Sequence, residues 1–158
     1  CYGTIIIGVC IQFLIYGMYY QVDRIYTKDN IKVATGPYAG VYMTEEDYNQ
    51  YIKEINDMNV IRTYSKKGDP VYLASYNNWM YMYLDRPMAT YTTWYGGSID
   101  QEQLTRYYKE NPDKIPRYIY VESSDPSKAR TQIADKMFNY TKKELSNGVL
   151  LIVKNCKF

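Results

Sequence analysis

The segment that most limits what this chain can become is its opening, "CYGTIIIGVCIQFLIYGMYY", Cys1 to Tyr20, which carries no charge and has only Thr4 and Gln12 as strongly polar side chains. A helix needs roughly 20 apolar residues to cross a hydrocarbon core. Tyr16, Tyr19 and Tyr20 cluster just ahead of Asp23 and Arg24, as aromatic side chains do where a span meets water. A signal peptide would open with basic residues and close on a small-residue cleavage site, and this segment does neither. A buried strand would be shorter, although the β-branched run Ile5 to Ile7 suits one. The pattern predicts a transmembrane helix over residues 1–22. Because the chain opens on cysteine rather than methionine, that helix reads as the last span of a longer protein.

Residues 23–40, "DRIYTKDNIKVATGPYAG", read as a juxtamembrane connector of short extended pieces ending in the Gly36-Pro37 turn. Beyond it, residues 41–158 alternate helix and strand patterns. Thr44 followed by Glu45, Glu46 and Asp47 is a helix start, with the threonine as cap and the acids at the positive end of the helix dipole. Apolar Tyr48, Tyr51, Ile52, Ile55 and Met58 then recur on one face. Strands are predicted over 71–75, 86–92, 117–121 and 149–154, with helices over 76–84, 100–110 and from Ser124-Asp125-Pro126 through Ala129, Ile133, Met137 and Tyr140. The run "VLLIVK" is apolar nearly throughout, as strands of parallel sheets are. The expected fold is α/β: a three-layer, Rossmann-like, mostly parallel sheet of about four to five strands behind one transmembrane helix.

In such a sheet ligands gather beyond the carboxyl ends of the strands. Those ends are Ser75 with Tyr76, Asn77, Asn78 and Trp79, then Thr93, Trp94 and Tyr95, then Glu122 to Asp125. Tyr76, Asn77, Asn78, Trp79, Thr93, Trp94 and Tyr95 are the candidate rim for a glycan or a partner, with aromatic faces stacking on sugar rings and amides bonding hydroxyls. The simpler account of Trp79 and Trp94 is packing. The chain has no histidine, which removes Ser-His and Cys-His nucleophile systems, and it has no nucleophile elbow, dinucleotide turn or phosphate loop. Cys1, Cys10 and Cys156 form no metal set or disulfide framework. No catalytic residue, metal or cofactor is assigned. A net charge of +2, from 19 basic and 17 acidic residues without a like-charged block, argues against nucleic acid. Glu45-Glu46 reads as a helix start rather than an acid/base pair, and Asp85-Arg86 as a local ion pair. The sequon Asn139-Tyr140-Thr141 falls in a predicted helix and is discounted.

Three stretches carry a family resemblance: "GPYAGVYMTEEDYNQY" (36–51), "GDPVYLASYNNWMYMYLDRPMATYTTW" (68–94) and "YYKENPDKIPRYIYV" (107–121), in that order after the hydrophobic segment. The chain resembles the C-terminal extracytoplasmic region of bacterial polytopic membrane glycosyltransferases of the C type, associated with cell-surface polysaccharide assembly. The resemblance implies a non-catalytic domain, on the outer side of the cell membrane, of an enzyme that acts on lipid-linked sugars. Its partners would be the upstream transmembrane half, the bilayer and a glycan or lipid-linked sugar. The carboxylates such enzymes use lie in loops that precede this chain, so no catalytic position carries over. The alternative is a single-span anchored domain that binds a ligand or partner by itself.

Overall fold

The computed structural model describes residues 11–12, 15, 30–93, 100–123 and 128–158. The predicted span over 1–22 lies outside them except for Ile11, Gln12 and Ile15, which are helical and exposed. Among the described residues no helix is long and apolar enough to cross a membrane.

The chain divides into two compact units, residues 1–49 and 50–158. In the first, β1 (Ile31–Lys32) pairs antiparallel with β2 (Tyr42–Met43). The connection folds back on itself: Val33 N donates to Val41 O at 2.9 Å and Gly40 N donates to Val33 O at 2.8 Å. Gly36 and Gly40 hold φ of 89° and 90°, where a side chain would be strained. Helix α1 (Glu45–Tyr64) starts where the acids predicted it, with Thr44 Oγ1 accepting from Asp47 N at 3.2 Å and donating to Asp47 Oδ2 at 2.8 Å.

The second unit is built on a four-stranded sheet in the order β3 (Val71–Ala74), β4 (Tyr118–Glu122), β6 (Gly148–Cys156), β5 (Phe138–Glu144). Within this sheet β3 and β4 run parallel, whereas β6 is antiparallel to both β4 and β5. This corrects the expectation of a Rossmann-like, mostly parallel sheet. The apolar run of β6 reports burial on both faces, and a strand pinned between two neighbours needs that whichever way they run.

Two other expectations are corrected. The segment 138–144 continues the helical spacing of α4 (Lys128–Met137), yet it forms β5, because its backbone pairs along β6 from Phe138–Cys156 to Glu144–Val149. Tyr140 therefore belongs to a strand, and Asn139 donates from Nδ2 to Asn155 Oδ1 at 2.7 Å. The predicted strand over 86–92 reduces to a single parallel bridge, Met88 to Val71, on the outer edge of β3. Val71 N donates to Pro87 O and Ala89 N to Val71 O, and Pro87 sits at this edge, where its missing N–H costs nothing.

Alternation along the strands sorts the core onto two faces. Tyr72, Ala74, Ile119 and Leu151 meet Leu104 and Tyr108 of α3 (Gln101–Glu110) and Ala134 and Met137 of α4. Val71, Leu73, Tyr120 and Leu150 meet Met58 and Ile61 of α1 and Met80 and Leu84 of α2 (Trp79–Leu84). Asp100 caps α3, its side chain accepting from Glu102 N at 3.2 Å. Tyr108 ties the first face to the sheet edge by donating to Ala89 O at 2.7 Å, and burial pushes its hydroxyl pKa upward.

Where β6 begins, the backbone leaves no room for a side chain. A Cβ on Gly148 would lie 2.5 Å from Val121 O and 2.6 Å from the Tyr120 ring. Gly148→Ala is expected to destabilise the protein by about 1–3 kcal/mol, read as a lower urea midpoint. Gly68→Ala, where nothing lies within 4 Å of the position the added methyl would take, should stay within about 0.5 kcal/mol of the parent. Equal midpoints for the two variants would contradict this packing.

Candidate functional site

The carboxyl ends of the parallel pair β3 and β4 lie by the middle of α1 and the turn between β5 and β6. At this end three acids are buried: Glu54 and Asp57 of α1 and Glu122 at the end of β4, which are 4 %, 0 % and 3 % exposed. Periodicity explains the first two. Positions 54, 57, 58 and 61 share the inward face of α1 with Tyr51, so the acids occupy turns where a hydrophobic residue would ordinarily sit.

Each acid is satisfied by neutral donors. Asp57 accepts from Ser146 N (2.7 Å) and Asn147 N (2.9 Å) of the β5–β6 turn and from the Tyr120 hydroxyl (3.0 Å). Glu122 accepts from Ser75 Oγ (2.6 Å) and Asn147 Nδ2 (3.3 Å). Glu54 Oε1 accepts from Gln50 Nε2 (3.0 Å) and Asn77 Nδ2 (3.1 Å). Asn77 N in turn donates to Ser75 Oγ at 2.9 Å. One network thus fastens α1, both parallel strand ends and the hairpin turn.

The electrostatics follow from burial, and among the described residues no cation pairs with these acids. Loss of water raises the Glu54 pKa most, the bond from Gln50 lowers it, and the neighbouring Glu122 and Asp57 raise it again; the result is about 7 instead of 4.5. Glu54 therefore holds its proton well above the ordinary carboxylate range. Burial and then Asp57 push the Tyr120 hydroxyl pKa up, so tyrosine remains a donor in this network. Among the described residues no group of acids and cysteines is arranged to hold a metal ion.

The rim residues read from the sequence divide around this network. Asn77 is half-buried and belongs to it. Tyr76 is exposed, as is Asn78, the residue ahead of α2, whose carbonyl accepts from Tyr81 N at 3.2 Å. Trp79 is half-buried and packs on two rings, tilted against Tyr51 at 5.4 Å and edge-on to Tyr83 at 6.2 Å. Thr93 is half-buried; Trp94 and Tyr95 lie outside the described residues. Asp85 and Arg86 do not pair with each other as expected. Asp85 meets Lys67 at 3.5 Å, while Arg86 spans Ser65 and the carbonyls of Leu84 and Asp85. Sequence reasoning missed Glu54 and Asp57; their one signal is that both fall on the face marked by Tyr51 and Met58.

No family model, curated protein or solved structure matches the chain.

An acid whose pKa is higher folded than unfolded takes up a proton on folding, so its contribution to stability is full below pH 4.5 and is lost as pH rises through about 7. At 1.36 kcal/mol per unit, the loss across that window is roughly 2–3 kcal/mol. Glu54→Gln keeps the shape and supplies an N–H toward Glu122, so its stability should be flat over the same range and exceed that of the parent at pH 8. A parent whose urea midpoint rises between pH 5 and 8 more steeply than that of the variant would contradict a protonated Glu54.

Proposed function

We propose that this chain is a non-catalytic binding domain whose working surface is the rim at the carboxyl end of β3, formed by Tyr76, Asn78 and the exposed edge of Trp79. One observation carries the reading: the acids behind this rim are buried and hydrogen-bonded to their own chain, whereas Tyr76 and Asn78 are exposed. An acid/base pair for hydrolysis or transfer must reach a substrate atom, and Glu54 and Glu122 are spent on fastening α1 to the sheet. Aromatic and amide groups beside one another suit a sugar, whose apolar ring faces stack while its hydroxyls take hydrogen bonds.

Set beside the family resemblance, this surface belongs to the outward-facing, C-terminal domain of a membrane glycosyltransferase acting on lipid-linked sugars in cell-envelope polysaccharide synthesis. In that setting the rim holds the growing glycan while the membrane half performs the transfer. A free-standing anchored binding domain would use the same rim for another ligand.

Trp79 reports on the rim directly, because the chain has two tryptophans and Trp94→Phe leaves Trp79 as the sole indole. Titration of that variant with neutral and anionic hexose oligosaccharides is expected to shift the emission saturably, and Tyr76→Ala or Asn78→Ala should weaken the response about tenfold. Emission that stays flat with every oligosaccharide would overturn the glycan reading.

A further inference from the structure

Beyond the buried acids along α1, cations gather around the carboxyl terminus of the helix. The Arg62 guanidinium stacks 4.4 Å over the Tyr83 ring and donates to Tyr83 O and, at 3.5 Å, to Leu84 O. Arg86 donates to the same Leu84 O at 3.3 Å, to Asp85 O, and to both Ser65 O and Ser65 Oγ at 3.0 Å. Two guanidiniums therefore converge on one helix terminus, and among the described residues neither has a carboxylate partner. Lys143 lies 4.4 Å over the Tyr64 ring and donates to the Tyr64 hydroxyl. Lys66 and Lys67 are exposed on the turn that follows α1. Arg117 pairs with buried Asp69 at 2.9 Å, and Lys67 with Asp85 at 3.5 Å.

Six cations against Asp69 and Asp85 leave this face at +4, while the whole chain is +2, so everything else is net negative. Apolar surface is exposed beside these cations in the chain. Met82, one residue before Tyr83 on α2, is 85 % exposed, and Tyr64 is 39 % exposed. Arg62, Arg86 and Lys143 are held by carbonyls and rings and meet no acid among the described residues, so their charge stays available.

We propose that this basic face is a docking surface for an anionic phospholipid bilayer, with Lys66, Lys67, Arg62 and Lys143 over the headgroups and Met82 and Tyr64 entering the headgroup layer. Each cation near such a surface contributes about 1 kcal/mol, and the attraction decays within a Debye length. The exposed thioether chain chooses a bilayer over a nucleic acid: a phosphate backbone offers Met82 nothing, whereas the boundary between headgroups and acyl chains buries it. The inference stands apart from the rim, and it holds for a binding domain of any ligand.

The test is lysine acetylation footprinting, read by mass spectrometry, on the full chain mixed with vesicles of phosphatidylcholine alone or with added phosphatidylglycerol. Lys66, Lys67 and Lys143 should be acetylated about threefold or more slowly on the anionic vesicles, with the protection lost at 1 M salt, where the Debye length falls to about 3 Å. Lys53 and Lys109, away from this face, should react equally on both. The double substitution Lys66→Glu with Lys67→Glu, at two exposed positions, should abolish the protection of Lys143. Equal labelling on neutral and anionic vesicles would overturn the proposal by leaving only charge-independent attachment. Protection by a single-stranded oligonucleotide without vesicles would overturn it in favour of a polyphosphate site.

Discussion

The buried carboxylates of Glu54, Asp57 and Glu122 are the constraint around which the second unit is arranged. A helix packs on a sheet through apolar contact alone in most α/β folds, and Met58 and Ile61 do part of that work here. The acids add direction. Asp57 reaches the β5–β6 turn, Glu54 reaches Asn77 just past β3, and Glu122 reaches both Ser75 and Asn147. Removing one partner from such a network leaves a buried polar group unmet at about 1–3 kcal/mol, so α1 can sit on the sheet in one register only. Gly148 follows from the same arrangement, because the turn that feeds Asp57 must enter β6 hard against Val121 O and the Tyr120 ring.

Charge is sorted along the second unit in consequence. The acids collect where the parallel strands end, with the Glu54 pKa raised to about 7, and the cations collect around the carboxyl terminus of α1, on carbonyls and aromatic rings. The end that carries Asn77, Tyr76 and Asn78 is thus hydrogen-bonded and rigid at its base but polar at its lip, which suits recognition of an uncharged, hydroxyl-bearing ligand. The carboxyl terminus of α1 suits an anionic surface. There Arg62 also meets the last carbonyls of α2, where the negative end of a helix dipole favours a cation.

Local signals in the sequence carried the elements that depend on local physics. The capped start at Thr44, the short helix at 79–84 and the capped helix after Asp100 are each fixed by neighbours within a few residues, and the strand at 71–74 shows itself as a short buried run after the Gly68-Asp69-Pro70 break. What escaped depends on which partner a segment meets rather than on its own spacing. Residues 138–144, with Lys142, Lys143 and Glu144, have ordinary helical spacing, and only pairing with β6 makes them a strand. The direction of β6 is likewise invisible, since burial on two faces leaves the same apolar run in parallel and antiparallel neighbours. Asn77 and Trp79 stood out in the sequence because they follow a strand end, and the structure ties Asn77 to Glu54 and packs Trp79 on Tyr51 and Tyr83. Glu54 and Asp57 did not stand out, because an acid on a helix ordinarily marks the solvent side, and for Asp57 the donors that reverse that rule come from Ser146 and Asn147, 89 and 90 positions away.

The most direct test of this arrangement is the titration of Glu54 itself, followed through its side-chain carboxyl carbon by NMR and assigned with Glu54→Gln. The structure requires an inflection near pH 7, set by burial and by the Glu122 and Asp57 charges. An inflection near the ordinary glutamate value of about 4.3 would mean that water reaches the carboxyl group and that the acids do not form the buried fastening on which the fold depends.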